Sequence, residues 1–292
     1  GSAEYYTPQS LSAATDMVAM ADPTASLDPG GATERALVMN RPKRKGAATI
    51  AGANVTKPLE PFWGRLRTFA IDSGGACAPP PPPEYSRDTT SRFYREAREV
   101  YEAGRALDDS QRTIGLFWAD NPGQTGTPPA HWTSIMGQLV HSLQLDLDRT
   151  AEMYVLTALR QADAFVATWH TKYRWNVMRP VTYINRHIDP DWRPLIVTPP
   201  FPEYTSGHSV QSGAAAEILT RLLGDSVSFT DSTATTLGHA PRHYRSFREA
   251  ANEVAISRLY AGVHYRSANE NGLAQGKCVA DEVARLRTRK AR

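Results

Sequence analysis

The chain has 292 residues, 41% hydrophobic and 22% charged, the composition of an ordinary globular protein with ample length for a core. A formal net charge of +3 makes no electrostatic case for nucleic acid or a membrane surface, and no apolar run approaches the ~18 residues of a spanning helix. Two cysteines without clustered spacing, Cys77 and Cys278, argue against a structural zinc site and leave one disulfide or two buried thiols open.

Residues 1 to about 60 are rich in Ala, Thr, Gly, Pro and Ser and hold no sustained period, which predicts an extended or unstructured arm. The 61–71 stretch is apolar enough to dock on a core, and five prolines at 79–83 predict a polyproline II spacer. Helical signals dominate afterwards. Residues 91–107 set Phe93, Ala97, Val100, Tyr101 and Leu107 on one face. A shorter helix over 109–118 stops before Pro122-Gly123. Pro128 stands near the start of a third, through Trp132, Ile135, Leu139 and Leu143. Asp148 or Thr150 is the expected cap of a long helix through Leu156, Leu159, Val166 and Trp169. Further helices are expected over 209–223, 246–260 and about 268–287, with a polar loop over 224–244. Strand alternation is scarce. The expected fold is all-α, a helical bundle over 91–292 preceded by an irregular arm over 1–90.

Three segments gather the chemistry. Ser206-Gly207-His208 opens the 209–223 helix, where unpaired backbone N–H groups and the helix dipole favour an anion. Lys172 and Arg179 are seven apart, close to two helical turns, which predicts both cations on one helix face with Pro180 breaking the helix behind them. Arg258 and His264 are six apart and share no face of an ideal helix, but Gly262 between them permits an irregularity that lets both enter one pocket. Taken singly, each has an ordinary reading: an N-cap loop, a solvated cationic face, a structural Arg and His.

Together they resemble the signature motifs of the vanadium-dependent haloperoxidase and type 2 phosphatidic acid phosphatase superfamily. That pattern is Lys, six residues, Arg-Pro; then Pro-Ser-Gly-His; then Ser-Arg, five residues, His, three residues, Asp. Here it reads Lys172 to Arg179-Pro180, Ser206-Gly207-His208, and Ser257-Arg258 to His264. The resemblance implies a bundle of the vanadium haloperoxidase and acid phosphatase type, with residues 1–90 outside it. It implies that Lys172, Arg179, Ser206, Gly207, His208, Arg258 and His264 hold vanadate, in a site that also accepts phosphate. His264 is then the residue bonded to the metal and His208 the general acid–base. Trp169 and Phe201 match aromatic residues lining the halide side in fungal-type chloroperoxidases. The implied reaction is oxidation of halide by hydrogen peroxide to hypohalous acid, with a small organic substrate as a further acceptor. The alternatives are a phosphatase working through a phosphohistidine at His264 and a non-catalytic oxyanion-binding protein. No nucleic-acid or membrane partner is expected; a homodimer is a family-level expectation. Gly1-Ser2 reads as a scar of tag cleavage, and an exported bacterial protein, periplasmic or secreted, is the expected setting.

Two positions depart from the pattern. Thr205 replaces the proline before Ser-Gly-His. Ala268 stands where the family's Asp supports the histidine, with Asn269, Glu270 or a backbone carbonyl as substitutes, and its loss weakens the phosphatase reading most. Asp163, Asp120 and Glu203 are candidates to orient a cradle cation or to lie at the surface. His239 and His243 are expected to bind no metal, and Asp189, Asp191 and Arg193 read as turn chemistry.

Overall fold

A computed structural model describes residues 59–286. The arm expected over the first 58 residues and the basic tail from 287 lie outside the described residues. Helix α1 (Arg92–Arg105) is capped by Ser91, whose hydroxyl accepts the Tyr94 N–H. Helix α2 (Asp109–Phe117) starts from a capping box between Asp108 and Gln111. Helix α3 (Thr127–Ser142) has proline in its first turn. Helix α4 (Leu147–Trp175) runs for 29 residues and is capped by Asp146, two residues before the expected Asp148.

The left-handed Asn176, at φ 51°, ends α4, and Pro180 opens a new helix, α5 (Pro180–His187), with Arg179 as its N-cap. Lys172 and Arg179 therefore do not share a helix face, as the spacing suggested. Proline belongs at the first helical position because its missing N–H would have no partner there.

Helix α6 (Gly207–Leu223) is the centre of the bundle, buried almost continuously from Ser209 to Thr220. It is followed by a two-stranded antiparallel ribbon, β1 (Phe229–Asp231) against β2 (Arg242–Tyr244), inside the expected polar loop. Helices α7 (Phe247–Tyr260) and α8 (Arg266–Val283) complete the set. Helix α8 starts two residues earlier than predicted.

Glycines let α8 lie directly on α6. A Cβ on Gly276 would stand 2.1 Å from the Val210 carbonyl oxygen, and one on Gly213 would stand 2.5 Å from that of Leu273. The opposite flank of α6 faces Trp118, Trp132, Ile135, Leu139 and Phe247.

The 59–90 segment is irregular but anchored. Asp163 on α4 accepts the backbone N–H groups of Phe69 (2.7 Å), Ala70 (2.8 Å) and Ile71 (3.1 Å), so it orients backbone rather than a cradle cation. Cys77 is disulfide-bonded to Cys278 on α8, and Trp63 stacks on Phe165 at 5.0 Å. In the proline run, the Pro80 carbonyl accepts the Tyr204 hydroxyl. Among the described residues no helix is long and apolar enough to cross a membrane.

Candidate active site

Lys172, Arg179 and Arg258 are 0%, 0% and 1% exposed, which rules out a solvated cationic face. Lys172 projects from the last turn of α4, and its Nζ donates to the carbonyls of Pro202 (2.9 Å), Glu203 (3.0 Å) and Thr205 (2.6 Å). Three acceptors match the three N–H donors of an ammonium. Burial, with the Arg179 charge adding to it, pulls its pKa well below the usual lysine range. The cost of burial is met by the loop, whose shape this ammonium fixes.

Arg179 donates through Nε to the Phe201 carbonyl at 3.0 Å and through Nη1 to Val263 O at 2.7 Å and His264 Nε2 at 3.0 Å. Arg258 on α7 donates to the Trp118 carbonyl at 2.8 Å, and burial lowers its pKa to about 10. The Phe201 ring lies under both loop-facing cations, 5.0 Å from Lys172 Nζ and 5.1 Å from Arg179 Cζ. Trp169 packs on that ring at 5.0 Å, and Trp63 packs on Trp169 at 5.1 Å. The two predicted halide-side residues thus form one aromatic wall, with Phe201 against the cations.

Gly262 does what its position suggested. It adopts φ +77°, and a Cβ there would meet the Trp192 ring at 2.9 Å and Pro194 at 3.0 Å, so the chain turns sharply after α7 and returns His264 towards Arg258. The imidazole Nδ1 lies 2.8 Å from Glu203 Oε1, which also accepts the Tyr265 N–H at 3.0 Å. Glu203 is therefore the carboxylate behind the histidine. The loss expected from Ala268 is made good from a different segment, and neither Asn269 nor Glu270 is the replacement. The cradle cation that Glu203 does hold, Lys172, is bound by its main-chain carbonyl and not by its carboxyl group.

Burial pushes the Glu203 pKa up, to about 8, against the pull of Arg179 and Lys172. The neighbours decide where the shared proton sits. Arg179 offers an N–H to Nε2, so Nε2 must present a lone pair; Nδ1 then carries the proton and Glu203 Oε1 accepts it, as a carboxylate above about pH 8. Burial and the three cradle cations hold the His264 pKa well below its ordinary value, so that lone pair stays available.

Ser206 caps α6. Its Oγ accepts from the Ser209 N–H (3.4 Å) and Ser209 hydroxyl (3.0 Å), while its own N–H donates to the Ala268 carbonyl at 3.0 Å. Gly207 is the first helical residue, where the N–H has no intrahelical acceptor. Thr205, in place of proline, donates its hydroxyl to Gln275 Oε1 at 2.6 Å and so ties the loop to α8.

The His208 side chain keeps 13% exposure, more than any other imidazole or cation of the cradle, and stands at its mouth. Its Nε2 lies 3.5 Å from Asp120 Oδ2, at the outer limit of a hydrogen bond. Burial, then the Arg258 charge, lowers its pKa to about 4. Asp120 holds a left-handed backbone (φ 49°), and its Oδ1 accepts from His131 Nδ1 at 2.7 Å and from the Thr125 hydroxyl at 3.1 Å. Asp120 thus serves two histidines rather than a cradle cation.

His131 and Asp231 were not foreseen. The available signal was a histidine beside the apolar Trp132–Ile135 face of α3, a placement that requires partners. His239 lies edge-on to Phe117 and His243 pairs across the ribbon with Thr230. Among the described residues no cluster of three or more His, Cys, Asp or Glu is arranged to hold a metal cation. The assembled donors are those of an anion site.

Residues 152–292 match the VCPO second helical-bundle domain. The crystal structure described as the first bacterial vanadium-dependent iodoperoxidase superposes with a TM-score of 0.76 at 40% identity, over 87% of this chain and 65% of that one. This chain's helical bundle over residues 152–292 is of the vanadium haloperoxidase type. Vanadium chloroperoxidase of Curvularia inaequalis is 24% identical over 275 aligned positions, which take in 70% of this chain and 45% of that protein. A holo-type bacterial vanadium-dependent chloroperoxidase shares the haloperoxidase fold at a TM-score of 0.64 and 18% identity, over 76% of this chain and 53% of that one. The chain thus spans under half of the fungal relative and about two thirds of the iodoperoxidase chain.

Proposed function

We propose that this protein is a vanadate-dependent haloperoxidase that oxidises halide with hydrogen peroxide to hypohalous acid. One observation carries the reading: three buried cations converge on a histidine whose Nε2 must present a lone pair. A buried nitrogen of the same cluster, Arg258 Nε, makes no hydrogen bond within the protein, and a bound oxyanion would supply one.

The residues fit vanadate. His264 Nε2 would bond to vanadium, with Glu203 holding the tautomer. Arg258, Arg179, Ser206 and the Gly207 N–H would hold its oxygens. Lys172 contributes charge and loop shape, since its three donors are already used on carbonyls. When bound, vanadate supplies a Lewis-acidic centre that activates hydrogen peroxide towards halide. His208, neutral at pH 7 and standing at the mouth of the cradle, takes and returns a proton. Trp169 and Phe201 exclude water beside the cations, which suits a weakly hydrated halide.

The test is halide oxidation by apoprotein with and without orthovanadate, beginning with iodide because the 40%-identical relative is described as an iodoperoxidase. Turnover that requires vanadate and is competed away by phosphate supports the reading; a vanadate-loaded protein with no turnover on iodide or bromide refutes it.

Phosphatase activity through a phosphohistidine is the second reading, and Glu203 favours it by restoring the support that a nucleophilic His264 needs. Hydrolysis of a chromogenic phosphate ester, inhibited by vanadate, is its assay. The Cys77–Cys278 disulfide supports export to an oxidising compartment, which fractionation of the native host would test.

A further inference from the structure

Behind His208 lies a buried row of alternating charge that the proposed chemistry does not use directly. His131 is 0% exposed and engages a carboxylate at each ring nitrogen, Asp120 Oδ1 at 2.7 Å and Asp231 Oδ2 at 2.8 Å. A neutral imidazole has a single N–H and satisfies only one such acceptor; the imidazolium satisfies both. The Trp118 ring stacks on the imidazole at 4.4 Å, fixing its plane. Asp231 is itself held by the Thr233 N–H at 2.9 Å.

The two oxygens of Asp120 are therefore divided. Oδ1 is committed to His131 and Thr125, and Oδ2 is turned to His208. The charged and titratable groups around this row are Asp120 after α2, Asp231 on β1, His208 on α6 and Arg258 on α7, with Glu253 of α7 behind the Trp118 ring and Arg242 of β2 behind the Phe117 ring. His239 lies beyond the Phe117 ring. Although burial opposes it, the bonds to Asp120 and Asp231 hold the His131 pKa up, at about 9.

We propose that His131, clamped between Asp120 and Asp231, is a positioning residue for His208. It aims Asp120 Oδ2 at Nε2, and it draws off enough of that carboxylate's charge for His208 to give up a proton as well as take one. Without His131, Asp120 turns fully to His208 and fixes it as an imidazolium. Resting on the haloperoxidase reading for its kinetic consequence, the inference also has a readout that needs no vanadate.

The experiment compares His131→Asn, whose amide reaches as far as Nδ1 and keeps the donor to Asp120, with His131→Gln, whose amide reaches as far as Nε2 and serves only Asp231. In vanadate-loaded enzyme His131→Gln is expected to lose about 10–100-fold in turnover, the usual cost of removing such a supporting partner, and His131→Asn distinctly less. The halide KM should stay within about twofold in both. In apoprotein, nitrogen-15 spectra of the imidazoles should show His131 doubly protonated from pH 5 to 8, and the His208 titration moving upward in His131→Gln. Equal losses in the two variants with unmoved His208 signals would overturn the assignment.

If wild type shows no vanadate-dependent turnover, the haloperoxidase reading fails, and the His208 signals still decide this inference. Should neither variant fold, Asp231→Asn replaces them: a joint shift of the His131 and His208 signals supports the clamp, and an unmoved His208 signal refutes it.

Discussion

Above about pH 8, where Glu203 is ionised, replacing it with Gln removes a charge without removing a shape. Glu203 Oε1 receives both the His264 Nδ1–H, at 2.8 Å, and the Tyr265 N–H, at 3.0 Å, while Oε2 makes no hydrogen bond. The Gln carbonyl can keep both donors, with its amide nitrogen in the Oε2 position. A bond to a carboxylate contributes about 1.5–3 kcal/mol and an uncharged one about 0.5–1.5, so roughly 1–1.5 kcal/mol of support for His264 is lost. That is about a tenfold weakening of any ligand bonded through Nε2. Removing a negative charge beside three cations also raises affinity for every anion, so vanadate binding alone is ambiguous. Phosphate, held without a bond to His264 at equilibrium, is the internal control. Competition titrations on wild type and Glu203→Gln should show the ratio of phosphate to vanadate dissociation constants falling about tenfold. An unchanged ratio in a variant that melts with wild type would show that Glu203 does nothing for Nε2. Glu203→Ala leaves two buried donors unpaired and should destabilise the fold by about 2–6 kcal/mol.

Three further perturbations test separate links. His208→Gln should lose roughly 10²–10⁴-fold in turnover and keep vanadate; full activity would remove His208 from proton transfer. The His208 pKa of about 4 lies below the unfolded value of ~6.5, so its contribution is present above pH 6.5 and lost as pH falls towards 4. The acid-side loss of stability of the apoprotein, up to about 3 kcal/mol from this group, should flatten in His208→Gln; an identical slope refutes that origin. Replacing Cys77 and Cys278 together by Ser should cost about 2–5 kcal/mol, or roughly 5–15 °C in melting temperature, and coincident melts would show that the cross-link adds nothing. Gly276→Ala brings a methyl against the Val210 carbonyl and should cost about 1–3 kcal/mol while weakening vanadate binding; wild-type affinity would show that the α6–α8 contact does not set the site.

The helical plan and every motif residue were legible in the sequence because periodicity, caps and motif spacing are local. What failed was local in one case and tertiary in the others. The interval between Lys172 and Arg179 fits two helical turns, but Asn176 in a left-handed conformation ends one helix and Pro180 begins the next, so the same cations arrive from different elements. The support for His264 was sought in α8, where the motif keeps it, yet it comes from Glu203, 61 residues upstream. A loop that passes behind a histidine leaves no periodic trace. Asp120, His131 and Asp231 are likewise joined only by tertiary packing of α3 against the ribbon. Asp163 was a candidate to orient a cradle cation or to lie at the surface, but it is buried with its oxygens turned to the backbone at 69–71.

The glycine seam between α6 and α8 has a consequence for how such a site can diversify. Ser206 and Gly207 begin α6, and His264 stands just ahead of α8, so the two halves of the cradle ride on helices that touch main chain to main chain. Their separation is a ruler made of backbone, with no side chain in it to lengthen or trim. Residues elsewhere in the bundle can exchange bulk without moving Ser206 and Gly207 relative to the histidine. Variation in what the protein accepts is therefore confined to the rim, where His208, the Asp120 loop and the Phe201 wall meet solvent. Chemistry and selectivity become separately inheritable.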